Sequence, residues 1–121
     1  MIAEILCIGT ELLIGDIVNT NAAYISKRLS EHGFDVLYHS VCGDNKIRLE
    51  QTVNHAFSRA DLVITTGGLG PTYDDISLEL CAKALGLSCH VDESVVKQLE
   101  EYFAKTGRVM TENNLKQAVV P

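Results

Sequence analysis

A chain of 121 residues, 46% of them hydrophobic and 21% charged, has the composition of a single globular domain rather than of a disordered segment. Its apolar runs, such as residues 5–8 and 62–64, fall far short of the roughly 18 residues a membrane span requires, and Met1-Ile2-Ala3-Glu4 lacks the basic and apolar regions of a signal peptide, so a cytoplasmic protein without a membrane role is expected. Ten basic against sixteen acidic residues give a formal charge of -6 with no local Lys/Arg cluster, which argues against nucleic acid as a partner.

Residues 3–8 form an almost continuous apolar run ending at Gly9, the pattern of a central parallel strand covered on both faces. Residues 10–20, with Gly15, Asp16 and Asn19, read as a long functional loop. A helix capped near Asn19 or Asn21 follows; its stripe is Ala22, Ile25 and Leu29, and Gly33 is its stop. Residues 34–41 mix apolar and polar side chains, which suits a strand nearer the sheet edge. A second helix, capped by Asp44 or Asn45, presents Leu49, Val53, Ala56, Phe57 and Ala60 along one face. The third strand, residues 62–66, runs into a glycine-rich turn. Beyond it Leu78, Cys81, Ala82 and Leu85 recur at helical spacing. An extended piece at 87–91 follows, then a helix capped by Asp92 with the stripe Val95, Leu99, Tyr102 and Phe103, and a last short helix within 111–119.

Alternating strands and helices predict a three-layer α/β/α domain with a mainly parallel sheet of core order 2-1-3, occupying residues 1–121. Such an order has a switch point. The loops 9–21 and 65–75 then face each other at the carboxyl ends of the strands, where open α/β sheets bind ligands. The four cysteines, Cys7, Cys42, Cys81 and Cys89, lie far apart among apolar neighbours and are expected as buried, reduced thiols.

The sharpest local signal is Thr65-Thr66-Gly67-Gly68-Leu69-Gly70-Pro71-Thr72-Tyr73-Asp74-Asp75. Three glycines in four positions allow positive φ and close backbone approach, leaving N–H groups free for an anion; a plain turn is the alternative. The adjacent carboxylates of Asp74 and Asp75 would need a cation beside a phosphate, unless one merely caps the next helix. The opposite loop offers Thr10, Glu11, Gly15, Asp16 and Asn21 as ligand-facing residues. Glu11 is either a water- or metal-orienting carboxylate or a solvent-facing one, and Asp44 is either a crevice carboxylate or a helix cap. The apolar residues Leu12, Leu13, Ile14, Ile17 and Val18 pack under the crevice or against a second subunit.

At these residues the chain resembles the amino-terminal domain of the CinA-like competence/damage-inducible proteins, which shares the molybdopterin-binding fold of molybdenum cofactor biosynthesis. The stretches that match are Gly9-Thr10-Glu11-Leu12-Leu13-Ile14-Gly15-Asp16 with Asn19 and Asn21, Gly43-Asp44, the Thr66-to-Thr72 run with Asp74-Asp75, and Asn114-Leu115-Lys116-Gln117-Ala118. The resemblance implies that Gly67, Gly68, Gly70 and Thr72 hold the ligand's phosphates, and that Asp44 and Asp75 match acidic positions important in molybdopterin-handling relatives. It also implies metal-dependent hydrolysis of ADP-ribose to AMP and ribose 5-phosphate. Relatives often carry a carboxyl-terminal nicotinamide mononucleotide deamidase domain, which this sequence lacks. They also continue beyond the Gln-Ala position into a further strand and a Pro-Gly-x-Pro loop, so the fold is expected to be truncated at the carboxyl end.

Together these readings place a diphosphate, such as that of ADP-ribose, over residues 67–72, contacted by Thr10, Gly15, Asp16, Asn21 and Thr66. A divalent cation (Mg²⁺, Mn²⁺ or Co²⁺) is held by Asp75 with Asp74 or Asp44, and Glu11, Asp44 and Asp75 form the catalytic set. The alternative is a pterin- or nucleotide-binding module without turnover. A homo-oligomer is expected, through the open edge of residues 62–66 or the apolar loop 12–18.

Overall fold

The computed structural model of the chain describes residues 1–121 and follows the predicted order. Strand β1 (Ile2–Ile8) lies between β2 (Asp35–Cys42) and β3 (Leu62–Thr66), all parallel, in the order β2-β1-β3. Its central place explains its sequence. With neighbours on both sides and helices on both faces, residues Ala3 to Cys7 are fully buried and Ile8 nearly so.

On one face Leu6 and Ile8 pack with Leu49 and Val53 of α3 (Lys46–Arg59) and Leu80 of α4 (Ser77–Ala84). On the other, Ile5 and Cys7 pack with Ala22, Ile25 and Leu29 of α2 (Thr20–Glu31). These are the predicted stripes, and they make the three layers. Asn19 caps α2 by accepting from the Ala22 N–H, and Asn45 caps α3 by accepting from the Arg48 N–H. Of the two cap candidates for α3, therefore, Asn45 serves and Asp44 is left for other work.

One residue breaks the apolar run of β1 without breaking the strand. Glu4 is fully buried and accepts two bonds from Arg59, each 2.8 Å, and one from Ser40 Oγ at 2.6 Å. The Arg59 guanidinium also stacks 3.9 Å over the Tyr38 ring. A register slip between Ala3 and Glu4 leaves Leu37 unpaired, and this bulge turns Tyr38 and Ser40 to the Glu4 side of the sheet. Burial pushes the Glu4 carboxyl up, but the bonds from Arg59 and Ser40 outweigh it and hold the group below its ordinary range.

The rest of the chain departs from expectation in detail. Residues 10–13 form a one-turn helix, α1 (Thr10–Leu13), where a loop is predicted; Glu11, Leu12 and Leu13 are good helix formers and sit directly after the strand. Of the apolar residues around it only Leu12 packs in the core; Leu13, Ile14, Ile17 and Val18 are more than half exposed, with Ile17 and Val18 lining the wall of a small cavity beside Glu11. Cys7 and Cys42 are buried free thiols as expected, but Cys81 and Cys89 are only partly covered. The predicted strand at 87–91 shortens to β4 (His90–Val91). It pairs antiparallel with β5 (Val119–Val120) in a separate small sheet. Between them lie α5 (Glu93–Thr106), capped by Asp92, and a 3-10 helix, Glu112–Ala118. No helix is long and apolar enough to cross a membrane.

Candidate functional site

The loops that leave the carboxyl ends of β1, β2 and β3 meet as the strand order requires. The β1 loop is tied to β2 twice. Gly9 N–H donates to the Cys42 carbonyl at 2.9 Å, and Thr10 Oγ1 donates to Asp44 Oδ2 at 2.8 Å. Gly43 lies between these elements, where a Cβ would stand 3.2 Å from Thr10 Oγ1. Asp44 is thus fixed through one oxygen, with the other free.

The glycine turn has a structural reason for its glycines. A Cβ on Gly67 (φ 88°) would lie 2.0 Å from the carbonyl oxygen of Ile8, and one on Gly68 (φ 65°) would lie 2.0 Å from Ser77 Oγ. Ser77 is itself fully buried, and its hydroxyl donates to the Gly67 carbonyl at 2.9 Å. The close approach at Gly68 is therefore to the protein's own α4, where the sequence suggested approach to a ligand.

Farther along, Asp75 organises the turn. Its Oδ2 accepts from the Thr72 N–H at 2.9 Å and from the Thr72 hydroxyl, and the Asp75 N–H returns to the Thr72 carbonyl at 3.2 Å. The Thr72 hydroxyl bond foremost, then the Thr72 and Gly70 N–H groups and the charge of Lys116, hold the Asp75 carboxyl below its ordinary range. Neither Asp74 nor Asp75 caps α4, whose N-cap is Ile76 without a side-chain bond.

The single predicted crevice is divided into three cavities. The largest, about 750 Å³, is lined by Asp44, Lys46, Thr72, Asp74, Glu112 and Lys116 among others. Beside it, Gly68, Gly70, Asp75, Lys116 and Gln117 line a cavity of about 170 Å³. On the other side of Gly67, Glu11, Asn21 and Thr66 line a third of about 120 Å³. The expected set Glu11, Asp44 and Asp75 is thus distributed over three cavities rather than gathered in one, with Glu11 the most displaced. Gly15 and Asp16 line none of the three; the Asp16 N–H bonds the Glu11 carbonyl at 3.1 Å and shapes the turn after α1.

No group of three or more His, Cys, Asp or Glu side chains is placed to hold a metal ion, so Asp44, Asp74 and Asp75 do not form the expected cluster. What does fit a hard cation is the largest cavity. Asp44 and Asp74 offer carboxylates there, and a ligand's phosphate oxygens would complete the set. The sequence reading missed Lys116, whose Nζ donates to the Thr72 carbonyl at 2.7 Å. It lies within a motif stretch, but nothing local reveals a partner 44 residues away. The partner of the Ser77 hydroxyl was hidden for a similar reason: a hydroxyl that bonds a main-chain carbonyl leaves no pairing signature.

The strand order, the crossing helices and the cleft at the strand ends define a ligand-binding domain of the open α/β class. Residues 4–120 match the family described as "Probable molybdopterin binding domain", and the chain belongs to that family, in its CinA-like branch. A "Putative competence-damage inducible protein" of Lysinibacillus sphaericus is 57% identical over 120 residues, which are 99% of this chain and 29% of that protein. The chain spans about three tenths of the length of the curated relatives it matches. The CinA crystal structure from Thermoplasma acidophilum is 34% identical and superposes with a TM-score of 0.89 over all of this chain and 71% of its own. A tungsten cofactor synthesizing protein MoaB from Pyrococcus furiosus shares the fold alone, at 23% identity and a TM-score of 0.64, covering 98% of this chain and 77% of its own.

Proposed function

We propose that the chain binds a phosphate-bearing nucleotide in the cleft between Asp44, Thr72 and Lys116 and hydrolyses a diphosphate such as ADP-ribose. The reaction adds water across the P–O–P bond and gives AMP and ribose 5-phosphate. The observation that carries this reading is the charge of the cleft. Four carboxylates, Asp44, Asp74, Glu79 and Glu112, face two lysines, Lys46 and Lys116. A bare diphosphate would be repelled by that excess, whereas a divalent cation carried with the diphosphate cancels the ligand's own charge and removes the repulsion.

Asp44 and Asp74 would hold such a cation, which supplies charge neutralisation and polarises a phosphoryl oxygen when bound. Asp44, braced by the Thr10 hydroxyl, keeps one oxygen for the cation or for a water bound to it. Asp75 acts through the loop, fixing Thr72, while Glu11 lies outside this cleft and has no part. The setting is a cytoplasmic one, and the active form a homo-oligomer.

A second reading has its own support. A molybdopterin- or nucleotide-binding module without turnover needs no ready-made set of three acidic ligands, and none is present. Family membership also favours a pterin ligand. Incubation with ADP-ribose and Mg²⁺, Mn²⁺ or Co²⁺, following AMP release beside calorimetric binding, separates the two. AMP release supports hydrolysis, binding without release supports the module, and no binding of ADP-ribose or molybdopterin overturns both.

A further inference from the structure

The small second sheet has no place in the core of the domain, yet it is carefully built. β5 pairs with β4, the Asp92 N–H donates to the Ala118 carbonyl at 2.9 Å, and Ala118 is fully buried. At the other end, Thr111 and Asn114 cap the 3-10 helix reciprocally. These ties fix the short helix between them at both ends. What that helix delivers to the glycine turn is one ammonium, Lys116, across 44 residues of sequence.

Lys116 is half-buried, lines both the 750 Å³ cleft and the adjoining 170 Å³ cavity, and lies within ion-pair distance of no carboxylate. Its only hydrogen bond goes to the Thr72 carbonyl, and an ammonium has three donors. Two donors therefore remain at the junction of two cavities, on an ammonium whose charge also acts on the Asp75 carboxyl. Lys46, the other lysine of the cleft, is also unpaired but lines only the larger cavity, and three other basic side chains are engaged in ion pairs. Arg59 pairs with Glu4, Lys83 with Glu50 and Arg28 with Glu31.

We infer that Lys116 is an anion-binding residue at the junction of the two cavities. It anchors on the Thr72 carbonyl with one donor and takes phosphate oxygens of the ligand with the others, so that the unit from β4 to β5 sets the selectivity for phosphorylated ligands. This rests on the reading above for the place of the ligand, though not on turnover. A residue that only held the loop would weaken all ligands alike. One that binds the anion discriminates by phosphate.

The full chain, its Lys116→Met variant and its Lys116→Arg variant are titrated with inorganic pyrophosphate, with ADP-ribose and with unphosphorylated adenosine, each with Mg²⁺, by calorimetry. The Lys116 ammonium resonance is followed in the unsubstituted protein. Pyrophosphate is expected to shift that resonance, Lys116→Met to weaken both diphosphates at least about tenfold while leaving adenosine unchanged, and Lys116→Arg to restore most of the loss. Thermal midpoints report folding, and the resonance needs no variant. An unshifted resonance on adding pyrophosphate overturns the inference, as does undiminished affinity in Lys116→Met. AMP release from ADP-ribose with an unchanged KM in Lys116→Met leaves the hydrolase reading standing while this one falls. A pyrophosphate shift without AMP release does the reverse.

Discussion

The Asp75 carboxylate accepts both the N–H and the hydroxyl of Thr72, and so closes the turn that faces the cleft. Asp75→Asn keeps an acceptor and loses the charge, and is expected to lower ADP-ribose affinity at least about tenfold with the fold intact. Asp75→Ala loses both, and should in addition displace the amide resonances of Gly70 and Thr72. Unmoved resonances in Asp75→Ala would show that the turn does not depend on this carboxylate.

Gly67 and Gly15 share a positive φ, 88° and 80°, but a Cβ on Gly15 meets nothing within 4 Å while one on Gly67 meets the Ile8 carbonyl. Alanine at Gly15 should therefore cost only the backbone strain, about 1 kcal/mol. Gly67→Ala should cost clearly more, because β1 itself would have to move. Denaturant midpoints for the two variants test the difference, and equal losses would assign the whole effect to φ. The same geometry means that Gly68→Val, aimed at ligand approach, would damage packing on Ser77 first.

Thr10 and Asp44 should behave as a unit. Thr10→Val and Asp44→Asn are each expected to weaken metal-dependent ligand binding, and the double variant to lose less than the two single losses combined. Full additivity in a calorimetric double-mutant cycle would show that the 2.8 Å bond does no positioning.

Arg59→Met strands the Glu4 carboxylate without its cation, and should lower the thermal midpoint at pH 7 by at least about 5 °C. The pH dependence has a definite sign. In the natural pair the Glu4 carboxyl is held below its unfolded value, so its contribution is fully present above the ordinary glutamate range and is lost as pH falls through the folded value. In the variant, burial without a cation raises the folded value, so acid stabilises it relative to neutral pH. The gap between the two proteins should narrow as pH drops; a constant gap would mean Glu4 is not ionised in the fold.

The chain exposes 7839 Å², against about 6,400 Å² for a folded monomer of 13.2 kDa. β3 pairs only with β1, so one of its edges has no strand partner, and Leu13, Ile14, Ile17 and Val18 are exposed. Self-association is expected, and sedimentation over a concentration series should show it. A strictly monomeric chain whose β3 amides resist exchange would refute it.

What was legible in the sequence was what periodicity and strand order encode. The stripes of Leu49 with Val53 and of Ala22 with Ile25 gave the helices, and the apolar residues 5–8 gave the central strand. Order 2-1-3 then brought the right loops together. The division of the crevice was not legible, because the one-turn helix at Thr10–Leu13 redirects Glu11 over Gly9, where a Cβ would stand 2.5 Å from its carboxylate. Nor was the partner of Glu4, since a lone acid in an apolar run carries no mark of an arginine 55 residues away.

The central strand is also the first to be made. β1 pairs with β2 from Ile2↔Asp35 and with β3 from Ala3↔Leu62, so neither neighbour has emerged when it leaves the ribosome. At about 5–20 residues per second, the interval between Ile8 and Thr66 is on the order of 3–12 seconds. For that time Ile5, Leu6, Cys7 and Ile8, which end almost wholly buried, have no complete sheet to enter. Parallel pairing cannot begin with a hairpin, so the newborn chain passes through a stage in which its most apolar segment is available to chaperones or to other nascent chains.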